Sequence, residues 1–166
     1  QCKNAFALYG DSIFDDLLEH IKYKVEESTG YKLIPTYTYH RLYLTGSELE
    51  RHKDRMSCDI SGTLYLGSDI DNLENKKYSW PMYVGSKDGA EGTEGISVDL
   101  NPGDAILYRG TILEHWRDKF LGNNHAQVFL HYNEDVEKNR YRAYDSRPVL
   151  GLPSNFRQHT PEELGD

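Results

Sequence analysis

"TYTYHRLYLTGSELERHKDRMSCDISGTLYLG", residues 36–67, holds the pattern that decides the fold. Its opening alternates, so Tyr37, Tyr39, Arg41 and Tyr43 share one face of a strand. "TGSELE" reads as a turn and "DISGTLYLG" as a second strand. Between them stand His52 and Asp54, two apart. A metal is one reason to place an imidazole and a carboxylate side by side. A solvated charged turn, "ERHKDR", is the other.

The same texture continues downstream. Residues 67–79 are polar and read as a long surface loop. "SWPMYVG", "ISVDL", "AILYRG" and "HAQVFLHY" read as short strands, with "KDGAEGTEG" and "NPGD" as turns. "HWRDKFLGNNHAQVFLHY", residues 115–132, reads as a final hairpin. Upstream, residues 11–29 predict a helix, because Phe14, Leu17, Leu18, Ile21 and Val25 recur on one helical face. Asp11 or Ser12 can cap its start and Gly30 its end. One helix followed by many short strands predicts a mainly β fold, an antiparallel sandwich or barrel with N-terminal helical support. The expected organisation is a single domain, 1–166: helix 11–29, β core 36–133, and an irregular tail 134–166 that is rich in proline and arginine.

A chain of 166 residues fits one domain. The formal charge of −8 opposes general nucleic-acid binding and attraction to an anionic membrane. No apolar run is long enough to span a bilayer. Cys2 and Cys58 make neither a disulfide framework nor a structural zinc set, so a reduced, cytoplasmic setting is expected. The sequence opens at Gln1 and shows no leader; a longer native chain is compatible with that.

Potential metal ligands narrow quickly. His20 belongs to the helix, His40 lies on the strand face opposite Tyr39 and Arg41, and His159 is in the tail. His115, His125 and His131 remain. In a rolled sheet His115 can meet His52 and Asp54. Two imidazoles and one carboxylate on one octahedral face suit iron(II) and leave positions open. A closed zinc site would call for a fourth protein ligand or for cysteines. His131 is an alternative third ligand, although "QVFLHY" reads more as core.

This ordered set resembles the 2-oxoglutarate/Fe(II)-dependent dioxygenases, and among them the prolyl 4-hydroxylase-like group. The H-x-D of His52 and Asp54, the later His115, the Y-x-x-G-x-x-x-x-x-H of Tyr43, Gly46 and His52, and "GDAILY" at 103–108 carry the resemblance over roughly residues 36–133. It implies a double-stranded β-helix (jelly roll) that binds iron(II) through His52, Asp54 and His115. It also implies 2-oxoglutarate as cosubstrate, dioxygen, ascorbate as a possible reductant, and release of succinate and carbon dioxide. The expected reaction is hydroxylation of a C–H bond, with a prolyl or other peptide residue as first guess and other protein or small-molecule substrates open.

One departure matters. In that group a Lys or Arg about ten residues after the distal histidine pairs with the far carboxylate of 2-oxoglutarate, and such a carboxylate needs a strong donor. Here Asn124 and His125 occupy those places. Arg117, two after His115, is the favoured substitute; a protonated His125 is second, and Arg41 third. Tyr65 matches a tyrosine that often donates to the same carboxylate, and Tyr43 belongs to the same wall. The departure leaves room for a non-catalytic jelly-roll binding module, cupin- or lectin-like, that retains a metal site. A cupin-type metalloenzyme fits less well, since the histidine spacing usual there is absent.

Overall fold

The computed structural model describes residues 2–86 and 90–165; of the glycine-rich turn predicted at 87–95, residues 87–89 lie outside the described residues. The elements run β1 (Ala5–Tyr9), α1 (Ser12–Thr29), β2 (Leu33–Leu44), β3 (Leu49–His52), β4 (Ile60–Asp69), β5 (Met82–Val84), β6 (Ile96–Val98), β7 (Ala105–Arg109), β8 (His115–Arg117), β9 (Asn124–Glu134) and α2 (Pro161–Leu164). They form two antiparallel sheets, ordered β1-β2-β9-β4-β7 and β3-β8-β5-β6. From β2 onward the chain passes back and forth between the sheets, which is the expected jelly roll.

Alternation on the long strands builds the interior. β2 and β9 pair Tyr37 with His131, Tyr39 with Phe129, Arg41 with Gln127 and Tyr43 with His125. β9 and β4 pair His131 with Ser61, Phe129 with Thr63 and Gln127 with Tyr65. These rows face the space between the sheets. The opposite faces carry the apolar contacts of α1: Leu18 and Val25 pack with Leu33, Ile60, Val128, Leu130 and Tyr132. Asp11 caps α1 through its side chain, and Gly30 ends it at φ 76.

Three expectations change. β2 begins before Pro35; a register shift between Pro35 and Tyr37 accommodates a residue with no N–H to give the ladder. β1 was not anticipated, because Phe6 and Leu8 point outward from an edge strand and leave no burial pattern. Residues 115–132 are not a hairpin: β8 and β9 belong to different sheets. Phe120, fully buried against Trp80 and Tyr43, draws the connection into the core, and Gly46 and Ser47 bind its backbone.

The tail packs against the body. Two 3-10 segments, Glu137–Ser146 and Ser154–Phe156, precede α2. Asp15, which reads in sequence as a first-turn surface acid, is buried. It accepts from Thr38 N (2.9 Å), Thr38 Oγ1 (2.7 Å) and Gly151 N (2.8 Å), and meets Arg147 at 3.0 Å. Removing the cation strands a buried carboxylate. Arg147→Ala is therefore expected to lower stability by about 3–5 kcal/mol in urea unfolding.

Candidate metal centre

β3 ends at His52 and β8 starts at His115, and the two are cross-strand partners. Their rings lie 4.2 Å apart. Asp54 follows β3, and its backbone N–H donates to Gly110 O at 2.8 Å. Gly110 is tight for a reason that sequence could not show: a Cβ there would collide with Asp54 Oδ2, the Cys58 carbonyl and Ser61 Oγ. The turn after β7 and the segment after β3 thus interlock only with glycine at 110.

Each imidazole is oriented by its other nitrogen. His52 Nδ1 donates to Glu50 O (2.7 Å) and His115 Nδ1 to Leu113 O (3.0 Å), which leaves both Nε2 lone pairs facing inward. Asp54 Oδ1 stands 3.5 Å from His52 Nε2 and 3.4 Å from His115 Nε2. The three donor atoms lie within 4.8 Å of one another. Neighbouring ligands on a metal with bonds of about 2.1 Å stand about 3 Å apart, so small side-chain movements would seat an ion. The donor set fits iron(II).

The surroundings hold the carboxylate ionised. Burial acts to raise the Asp54 carboxyl, but its close contacts with His115 and His52 outweigh it and hold the group well below the usual carboxylate range. Ser61 Oγ donates to Asp54 Oδ2 at 2.7 Å. His131 Nδ1 lies 3.1 Å from the same hydroxyl. Burial lowers the His131 imidazole to about 4, so it is neutral and supports Ser61 from behind.

The three predicted ligands line a cavity of about 220 Å³ together with Tyr37, Tyr39, Arg41, Arg55, Phe129 and His131, among others. Arg117, Tyr65 and His125 lie around a second cavity of about 290 Å³ with Trp80 and Phe120. Fully buried Tyr43 packs against Trp80 and His125 on that side, and both Arg41 and Arg117 act on its hydroxyl. Arg117 is 1% exposed, and no carboxylate pairs with it among the described residues. One Nη donates to the Trp80 carbonyl, the guanidinium lies over the Trp80 ring, and Nε has no hydrogen-bond partner. Burial lowers it to about 10, still cationic at neutral pH.

Burial, with the charge of Arg117 beside it, lowers the His125 imidazole to about 3, so with no anion bound it is uncharged at neutral pH. It stacks on Tyr65 (4.5 Å, 5°) and meets Gln127 Oε1 at 3.2 Å. Sequence reading missed Ser61, Gly110 and the Arg55–Asp145 pair. Their signal is long-range contact alone, since a serine, a glycine and a tail aspartate carry no motif. Arg55 binds Asp145 through two contacts of 2.8 Å, and Asp145 sits in a left-handed run, Tyr144 to Ser146, at φ 54, 56 and 58. Such strain persists only where surrounding contacts enforce it.

The neutral buried histidines set a pH dependence. An unfolded histidine takes a proton near pH 6.5, whereas His131 and His125 resist it until about 4 and about 3. Between those values the unfolded state binds more protons, so stability falls as pH falls, by about 1.4 kcal/mol per pH unit for each group at full effect. Urea midpoints should drop steadily from pH 7 to 5, and His125→Gln should flatten that slope.

No protein-family model matches the chain, and no curated protein sequence does. Solved structures do. A 2OG-Fe(II) oxygenase family oxidoreductase from Burkholderia pseudomallei aligns with a TM-score of 0.57 and 10% identity, over 78% of this chain and 68% of its own. A Pseudomonas putida prolyl-4-hydroxylase gives 0.53 and 13%, over 80% and 73%. HygX from Streptomyces hygroscopicus, solved with nickel, 2-oxoglutarate and hygromycin B, gives 0.59 and 14%, over 81% and 72%. At these identities the likeness shows a shared jelly-roll fold; what the site does must be argued from its own residues.

Proposed function

We propose that this protein is an iron(II)- and 2-oxoglutarate-dependent oxygenase that hydroxylates a C–H bond. The observation that carries the reading is the inward meeting of His52 Nε2, His115 Nε2 and Asp54 Oδ1, three donors on one side of a cavity with open space opposite. Bound there, iron(II) would supply dioxygen activation coupled to oxidative decarboxylation of 2-oxoglutarate to succinate and carbon dioxide. Ascorbate would serve only to keep the metal reduced. Dioxygen needs no dedicated protein contact beyond that open space.

The chain's own residues divide the remaining work. Carbonyl partners fix the tautomers of His52 and His115, and Ser61 holds Asp54. Arg117 receives the far carboxylate of 2-oxoglutarate. A buried guanidinium with an unpartnered Nε and, among the described residues, no paired acid is costly until an anion arrives. Tyr43, whose hydroxyl accepts from Gln127 Nε2 at 3.3 Å, and Tyr65 support that carboxylate. His125 acts as a neutral shelf behind Tyr65. The acceptor of the hydroxyl lies in the metal cavity, with a prolyl or other peptide residue as the first class to test.

One observation favours a second reading, a jelly-roll binding module that keeps a metal site without turnover: the place where the resembling enzymes carry Lys or Arg is held here by a neutral His125. Succinate formation from 2-oxoglutarate under iron(II) and ascorbate separates the two. Turnover is expected in the parent and lost in His52→Ala and Asp54→Ala; turnover that survives either change removes the triad. Arg117→Ala should raise the 2-oxoglutarate requirement at least about tenfold, the loss of one charged hydrogen-bond partner, and His125→Ala much less.

A further inference from the structure

With the triad assigned to the metal and Arg117 to the cosubstrate, one cation of the metal cavity is left without a counter-charge. Of the two arginines that line it, Arg55 has Asp145 as a bidentate partner and lies 4.5 Å over the Tyr37 ring. Arg41 has no carboxylate partner among the described residues. Its guanidinium rests instead against the rings of Tyr39 (5.1 Å), Phe129 (5.7 Å) and Tyr43 (5.8 Å), and it is only half-buried. Among the described residues Asp54 is the one carboxylate in the cavity wall, and the metal would claim it. A chain of net charge −8 therefore carries a concave site whose spare charge is positive. Such a site concentrates anions from solution.

We propose that the substrate oxidised here is a small carboxylic acid whose carboxylate pairs with Arg41. Its apolar body lies on the shelf of Tyr37, Tyr39 and Phe129, and its reacting C–H bond faces the three ligands. The cavity, at about 220 Å³, is below the ~300 Å³ at which pockets begin to hold drug-sized ligands, so it takes only a small molecule or a single side chain. The aromatic shelf decides for a flat or compact apolar body over a sugar-like one. Arginine decides for a planar, forked anion. The inference rests on the function proposed above and narrows it: an uncharged peptide segment would leave Arg41 unmatched.

The test uses the full chain loaded with manganese(II) and 2-oxoglutarate without oxygen, followed by calorimetry. The probes are acids and their amides (benzoate and benzamide, phenylacetate and phenylacetamide, L-proline and L-prolinamide) together with inorganic phosphate. At least one acid should bind, with its amide at least about tenfold weaker, the worth of one charged hydrogen-bonded contact. Arg41→Ala should lose that preference while holding manganese and binding 2-oxoglutarate within about twofold of the parent, and Arg41→Lys should restore part of it. Equal binding of acid and amide, no binding of any acid, or binding of phosphate alone overturns the proposal. So does a tenfold loss of 2-oxoglutarate affinity in Arg41→Ala, which would make Arg41 the cosubstrate clamp. Failure of the manganese-loaded parent to bind 2-oxoglutarate is a different result; it defeats the oxygenase reading itself.

Discussion

The cross-strand pairing of His52 with His115 is the constraint on which the site depends. It joins the end of one short strand to the start of another in the smaller sheet, and so brings two imidazoles that are distant along the chain within ring contact. Everything nearby serves to keep that pair useful. Backbone carbonyls take the Nδ1 protons, so each ring presents a lone pair to the same point. The Asp54 amide is tied to Gly110, which carries no side chain to push the carboxylate away. Ser61 and neutral His131 then fix the carboxylate from the larger sheet. The two histidines come from the smaller sheet and the side chains that fix Asp54 from the larger, so the geometry exists only when the two sheets close on each other.

Charge inside the roll is arranged by what each cation lacks. Arg55 is held by Asp145, and Arg147 by Asp15. These pairs tie the tail to the body, and the strained backbone around Asp145 is maintained by the contacts that Arg55, Arg157 and Tyr9 make with its carboxylate. Arg117 and Arg41 have no such partners among the described residues and rest on aromatic faces instead. Cation–π contact softens the cost of desolvating a guanidinium but offers no negative charge. Two such cations therefore line the inner walls of the fold, one in each of the two cavities.

Much of this could be read in the sequence, for reasons that differ by element. Period-two alternation of Tyr37, Tyr39, Arg41 and Tyr43 marks one face of β2, since successive side chains of a strand point to opposite sides of the sheet. The helix at 12–29 announces itself through apolar spacing and caps. His52, Asp54 and His115 stand out because few residue types bind metals and their order is distinctive. By contrast β1 escapes because its outer face is exposed, and Asp15 looks like any first-turn acid. The apparent hairpin of β8 and β9 misleads because a local pattern cannot say which sheet a strand will join.

The sequence by itself determined the periodicities, the helix limits and the choice of three candidate donors, because these rest on local backbone preference and on side-chain chemistry. Only the tertiary structure decided which groups are charged, which cations are unmatched and which residues share a cavity with His52, Asp54 and His115. His125 is neutral because burial and Arg117 make it so, and Arg41 lines the metal cavity because β2 crosses the roll beside β9. Protonation and encounter are properties of an environment, and an environment is assembled from residues that are distant along the chain.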